Sequence, residues 1–292
     1  MTETVAIGVI GGSGLYHMPG ISERITQRIQ TPFGPPSGDI VIGTLRGKRV
    51  AFLPRHGVGH VLTPSQVPYR ANIYALKTLG VRFIIGVNAC GSLREDYEPG
   101  HLVIPDQLFD YTTGLRERSF FSAGLVGHIS VADPFCSELS DVLYRAVQRA
   151  GGIVHKGGTF LIEEGPRFAT RAESHIFRQW GCSLIGMTTA PEAFLAREAE
   201  IAYATIAHIT DYDVWHVSEA PVTVERVIET MRQNIAIVEQ AVAHGVEMLN
   251  VQAECDCHHA LASALISDRS AVSLEAIEHL KPIVGRYFAA ES

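Results

Sequence analysis

Short apolar runs alternate with amphipathic stretches along the chain, and almost every run ends in a polar cluster. Residues 5–10, 81–87, 102–106, 158–162, 183–186 and 201–210 are β-branched and apolar, the composition of buried strands. Residues 40–45 and 48–53 form a hairpin pattern through Arg46-Gly47. Between the runs the apolar period changes to that of helices. Residues 64–79 carry Tyr69, Ile73, Leu76 and Leu79 on one face, with Thr63 or Ser65 as cap and Gly80 as stop. Further helices are predicted over 134–150, 171–180, 191–198 and 223–243, with Pro191 in a first turn. Residues 110–132 have no clean period and read as a long loop. Residues 251–292 read as an extension packed on the same domain, with a helix near 274–280.

Strands alternating with helices predict an α/β fold: a single doubly wound domain with a central mixed β-sheet flanked by helices. With 292 residues, 46% of them apolar, the chain can bury a large core. We assign residues 1–250 to this domain. Twenty-four basic against thirty-one acidic residues give −7. No Lys/Arg cluster stands out, so nucleic acid is not an expected partner. The expected setting is cytoplasmic, with no membrane association. Five cysteines, three of them in apolar or mixed surroundings (Cys90, Cys136, Cys182), read as reduced core residues.

The strand ends carry the chemistry. The first opens into Gly11-Gly12-Ser13-Gly14. Small residues let backbone N–H groups approach an anion, and Ser13 adds a hydroxyl. A dinucleotide fingerprint would need a following helix and an acid after a second strand; Leu15-Tyr-His-Met-Pro19 is a poor helix. The run 48–53 ends in Pro54-Arg55-His56, a guanidinium fork and an imidazole suited to a tetrahedral oxyanion. His56 and His60 have metal-ligand spacing, but the glycines between them disfavour the helix that spacing needs. Thr188 precedes a helix N-terminus, another anion-favouring end. The last strand stops in Asp211-Tyr212-Asp213. At extended spacing both carboxylates would face the same side, and burial would raise at least one pKa. Oxyanion donors and a proton-holding acid together suit displacement at a glycosidic carbon by phosphate.

Taken together, Gly11-Gly-Ser-Gly-Leu15, Thr31-Pro-Phe-Gly34, Arg55-His56-Gly57, His60, Asn72-Ile-Tyr-Ala-Leu-Lys77, Asn88-Ala-Cys-Gly-Ser-Leu-Arg94, Ala132-Asp-Pro-Phe-Cys136, Glu164-Gly-Pro-Arg-Phe168, Arg171-Ala-Glu-Ser174, Met187-Thr-Thr-Ala-Pro-Glu192 and Thr210-Asp-Tyr-Asp213 resemble the trimeric purine nucleoside phosphorylase and 5′-methylthioadenosine phosphorylase family. The resemblance spans residues 8 to about 230. It implies that Ser13, Arg55, His56, Asn88, Ala89 and Thr188 form the phosphate site. Met187 would lie under the ribose and Phe168 on the purine. His60, His128, Val224 and Ile228 would complete the nucleoside pocket, His128 by reaching a neighbouring subunit. Asp211 would assist at N7 and Asp213 would accept from the 6-amino group. It also implies a homotrimer and no metal or organic cofactor, with phosphate as co-substrate. Asn88 stands where animal members carry Thr, and Ala169 replaces a Ser.

A carboxylate at 213 suits the N6 donor of adenine and opposes the O6 acceptor of a 6-oxopurine. The apolar patch Val222, Val224, Val227 and Ile228 reads equally as core packing; its place in the family favours a methylthio group at the 5′ position. Cys255-Asp-Cys257-His258-His259 stays open between a metal site, a thiol–disulfide pair and a packed tail.

Overall fold

The computed structural model describes residues 4–12, 15, 18–122, 124–216 and 224–289; side chains 224–228 and 231–233 lie outside that description. In chain order come β1 (Ile7–Gly11), β2 (Ser22–Gln27), β3 (Ile40–Leu45), β4 (Lys48–Pro54), α1 (Tyr69–Thr78), β5 (Phe83–Ser92), β6 (Leu102–Ile104) and β7 (Gln107–Tyr111). Then follow α2 (Ser137–Arg149), β8 (Val154–Lys156), β9 (Thr159–Glu163), α3 (Arg171–Gln179), β10 (Cys182–Gly186), α4 (Thr189–Glu198), β11 (Ala202–Asp211) and α5 (Val224–Met248). The short α6 (Leu274–His279) and α7 (Lys281–Phe288) close the described chain.

The strands form one mixed sheet in the order β2-β3-β4-β1-β5-β10-β9-β7, with β11 also on β5 and β6 bridging β11 to β8. Fully apolar β1 and all-buried β11 need cover on both faces. One core cluster includes Ile73, Leu76, Ala193 and Ala196, the other Leu139, Leu143, Val242 and Val246. Residues beyond 250 join the first cluster through Leu261, Val272, Ile283 and Val284. The 3–4 hairpin forms as its pattern predicts, with Arg46 and Gly47 both at positive φ.

Several boundaries differ from the periodicity. The helix predicted over 64–79 breaks in two: a 3-10 turn at Pro64–Gln66, capped by Thr63, and α1 from Tyr69. Pro68 supplies no N–H and restricts Val67, so one continuous helix cannot form. The stretch read as loop from 110 begins inside β7, an edge strand of alternating exposure. Edge strands β2 and β8 carry little apolar signal and were not expected; β2 is exposed at all its positions. The helix expected near 274–280 forms as α6, and a further helix, α7, follows it at Lys281–Phe288.

Strand β5 organises the site because it changes partner. Along one edge, Phe83 to Gly86 pair with β1 in parallel, whereas Gly91 and Ser92 pair with β10 antiparallel. No described strand pairs that edge between residues 87 and 90. Ala89 is exposed within an otherwise largely buried strand. The carboxyl ends of β4 and β1 reach the same level, since Gly11 stands opposite Pro54. The notch lies at a strand-order switch, where α/β sheets bind ligands.

Gly86 sits just before the notch. A Cβ there would lie 2.4 Å from Tyr203 Oη and 3.0 Å from Thr205 Oγ1. Gly86→Ala should therefore cost about 1–3 kcal/mol in denaturant unfolding, the usual range for overpacking a rigid core; an unchanged midpoint would show that Tyr203 can move aside.

Candidate active site

Arg55 follows β4 and is buried, with its backbone N–H bonded to Gly11 O at 2.9 Å. Its Nε and Nη2 each donate to Glu192 at 2.7 Å, Nη1 donates to Val87 O at 2.9 Å, and Nη2 also reaches Ile10 O at 3.3 Å. Those bonds use one proton on Nε, one on Nη1 and two on Nη2, leaving one Nη1 proton. Burial opposes its charge, but Glu192 outweighs burial and holds the guanidinium protonated. Arg55 thus satisfies the carbonyls of the notch and a fully buried Glu192, and one Nη1 proton is left over at the place where the resemblance expects phosphate. Tyr203 Oη donates to the same carboxylate at 2.8 Å.

A second chain of hydrogen bonds orients Thr188. Thr205 donates to Asn88 Oδ1 at 2.7 Å, and Asn88 Nδ2 donates to Thr188 Oγ1 at 2.9 Å. The Thr188 hydroxyl proton has no acceptor among the described residues. Thr188 stands at the N-cap position of α4 without a side-chain cap bond; Ala190 is extended (φ −103°, ψ 133°) and regular helix begins at Pro191. His56 is half-buried; Nδ1 meets Leu62 O at 2.9 Å and therefore carries the proton, leaving Nε2 as a lone pair. Burial, then Arg55, lowers its pKa to about 4. His60 stacks on it at 4.3 Å, at positive φ and exposed. Ser13 lies outside the described residues, as do Val222 and the side chains of Val224 and Ile228.

The acid pair converges by a different route from the one expected. A bulge shifts the β11–β5 register between Ile209 and Asp211. Asp213 stands at φ 53° in a 3-10 turn (Asp213–Trp215). Asp211 Oδ1 accepts from the Asp213 N–H at 2.8 Å, and Oδ2 accepts from Thr210 Oγ1 at 2.7 Å. Turn geometry, not strand pleat, brings the carboxylates together. Trp215 anchors the turn: its indole donates to Ser92 O at 2.7 Å, and its ring packs with Leu93, Phe177 and Ile185. Gly91 backs the pair, its missing Cβ falling 3.0 Å from Asp211 Oδ1.

Asp213 Oδ2 is buried with no hydrogen-bond partner among the described residues; Ser174 Oγ faces the same carboxylate outside hydrogen-bond geometry and is also unpaired. Desolvation, with a smaller contribution from Asp211, raises the Asp213 pKa to about 6. Burial and Asp213 push neighbouring Glu163 to about 8. Phe168 is 38% exposed, a ring not yet covered, and Met187 packs against Gly165. His128 is exposed, and its backbone N–H bonds to Ala264 O at 2.9 Å; none of its described contacts is with these residues.

Arg116 escaped the sequence reading. It is buried and donates to the carbonyls of Glu164, Met187 and Ala190 at 2.6–2.7 Å and to Glu164 Oε1 at 3.1 Å. It thereby ties the loops bearing Phe168 and Met187. Burial alone would raise Glu164, but donors from Ser65, Thr113 and Arg116 bring it down to about 2. Glu192 and Tyr203 were visible only as motif and strand residues; nothing in their spacing announces the contact with Arg55.

The raised Asp213 has a stability consequence. Its folded pKa exceeds the ordinary 3.8, so its contribution to stability is greatest when protonated and declines as pH rises from about 4 to about 6. Asp213→Asn should stabilise the ligand-free protein by roughly 2–3 kcal/mol at pH 7.5 and hardly at all at pH 4, by denaturant unfolding. An equal effect at both pH values would contradict a buried, ionising carboxyl.

Comparison with known proteins gives the family. Residues 6–246 match the Phosphorylase superfamily profile. The chain is similar to the S-methyl-5′-thioadenosine phosphorylases of Chloroflexus aurantiacus (53% identity, 98% of this chain and 100% of the relative) and Geobacter sulfurreducens (51%, 96% and 98%). It superposes on a methylthioadenosine phosphorylase crystal structure from an antarctic soil metagenomic library with TM-score 0.92 (47% identity, 97% of this chain and 99% of that one). It also superposes on the Schistosoma mansoni methylthioadenosine phosphorylase in complex with adenine, with TM-score 0.83 (36% identity, 89% and 99%). The chain therefore belongs to the phosphorylase superfamily, within its methylthioadenosine phosphorylase family.

Proposed function

We propose that the chain cleaves 5′-methylthioadenosine with inorganic phosphate, yielding adenine and 5-methylthioribose 1-phosphate. Phosphate attacks C1′, the C1′–N9 bond breaks, and its electron pair passes to the purine, which takes a proton at N7. One observation carries the choice of base: a buried, unpaired Asp213 oxygen beside Asp211. Adenine can supply it with an N6–H donor, and a 6-oxopurine cannot. Asp211 is the group assisting N7.

On the phosphate side, the Thr188 hydroxyl, the remaining Arg55 proton, the Ala89 backbone and the α4 N-terminus support an oxyanion in the β5 notch. His56 Nε2 offers a lone pair, so a phosphate oxygen would meet it through a proton of its own. Met187 serves the ribose and Phe168 the purine face. Val224, Ile228, His60 and a neighbour's His128 complete the pocket on the strength of the family likeness. The homotrimer is part of this reading; exposed Tyr111, Ile176 and Trp180 near the sheet edge are apolar surface that self-association could cover. No described helix is long and apolar enough to cross a membrane. Phosphate is a co-substrate and no organic cofactor is invoked.

Adenine release from methylthioadenosine should require phosphate; an unchanged rate without it would mean hydrolysis and end this reading. Asp211→Ala should lower kcat by about 10²–10⁴, the usual share of an acid–base group. For wild type, kcat/KM should fall about tenfold per pH unit below about 6, as Asp213 loses its acceptor charge. Asp213→Asn should lose methylthioadenosine turnover and gain relatively on methylthioinosine. A substrate ratio unmoved by that change would take Asp213 out of base recognition.

A further inference from the structure

Away from the notch, three thiols that are far apart in sequence converge. Cys136, Cys255 and Cys257 place their sulfurs within 4.8 Å of one another, and Cys136 Sγ lies 3.8 Å from Cys255 Sγ. Cys136 and Cys257 are buried and Cys255 is partly so. Cys136 occupies the N-cap of thirteen-residue α2 without capping it through its side chain, and its backbone N–H is bonded to Tyr203 O at 2.8 Å. His258 adds a nitrogen: Nδ1 is 3.8 Å from Cys255 Sγ, while Nε2 lies 3.1 Å from Arg82 O and so carries the proton. Nδ1 also meets Arg82 Nη2 at 3.1 Å and Glu254 Oε2 at 3.3 Å, contacts it would give up on turning to the thiolates; a metal-binding imidazole likewise keeps its other nitrogen on a backbone carbonyl.

We infer that Cys136, Cys255 and Cys257 form a three-thiolate site for a zinc ion, with His258 Nδ1 swinging in as fourth ligand. The spacing is the first argument. Zinc–sulfur bonds of about 2.3 Å in a tetrahedron hold sulfurs about 3.8 Å apart, the separation found between Cys136 and Cys255. The second argument is number. A disulfide would employ two sulfurs and strand a third, and a Cys255–Cys257 bridge would close a small strained ring; a metal employs all three. The ion would be structural, remote from phosphate and purine.

Such a centre would clip the chain beyond residue 250 to α2 and to the start of β5. Arg82 already holds that segment through Val251 O and Ala253 O at 3.0 and 3.2 Å. The same segment supports His128: Gly127 bridges Leu265, and Ile266 N bonds to Val126 O at 3.1 Å.

The test uses the full-length chain, reduced and stripped with a chelator, then titrated with Co²⁺ and displaced by Zn²⁺. Wild type should develop a thiolate-to-cobalt charge-transfer band saturating at about one ion per chain, and zinc should abolish it. Cys136→Ser and Cys257→Ser should each lose at least tenfold in affinity while still cleaving substrate, which shows they are folded. The double variant Cys90→Ser/Cys182→Ser should bind as wild type. Zinc should also raise the Tm of wild type and not of Cys257→Ser. Absence of the band, equal binding by the Cys136 and Cys257 variants, or recovery of a Cys136–Cys255 disulfide with no metal retained would each overturn the site.

Discussion

The ion pair between Arg55 and Glu192 is the contact on which the site depends. Where β5 leaves β1 and has not yet met β10, its carbonyls would face a gap. Arg55 fills that gap, bonding Val87 O and Ile10 O, and Glu192 neutralises it from α4. Removing one partner of such a buried pair usually costs about 3–5 kcal/mol, because the other charge is stranded. The pair thus fastens the ends of β1, β4 and β5 to the helix whose N-terminus faces the notch. In the proposed reaction, oxyanion recognition follows from this fastening more than from the Arg charge itself, which Glu192 largely cancels.

The same economy governs the other half of the site. Two fixed protein donors, Thr210 Oγ1 and the Asp213 N–H, satisfy Asp211, and one Asp213 oxygen has no partner among the described residues. A buried carboxylate without a partner is unfavourable in the empty protein and favourable once a ligand donor arrives. In the proposed reaction, specificity for a base with an exocyclic amine rests on what the pocket lacks. The turn holding Asp213 is supported by Trp215, so a residue that touches no ligand sets the position of one that does.

The proposed phosphate and base sites therefore meet along one strand. Asn88 orients the Thr188 hydroxyl, Ala89 opens the strand, and Gly91 leaves room for Asp211. Small or amide side chains at consecutive strand positions let two chemistries approach within a few residues. Arg116, from an irregular segment, ties the ribose and purine loops to that strand.

By itself the sequence determined the alternation of strands and helices, the 3–4 hairpin, and the strand ends at Arg55, Asn88, Thr188 and Asp211, because period and turn chemistry are local properties. It could not show the break at Pro68 as a change of helix type, nor edge strands β2 and β8, whose polar residues carry no apolar period. Only the tertiary structure decided that Arg55 is held by Glu192, that a bulge and a left-handed Asp213 aim the acids together, and that Cys136 meets Cys255 across more than a hundred residues. Those are long-range pairings. Their energy comes from burial and mutual satisfaction of groups that no window of sequence contains at once.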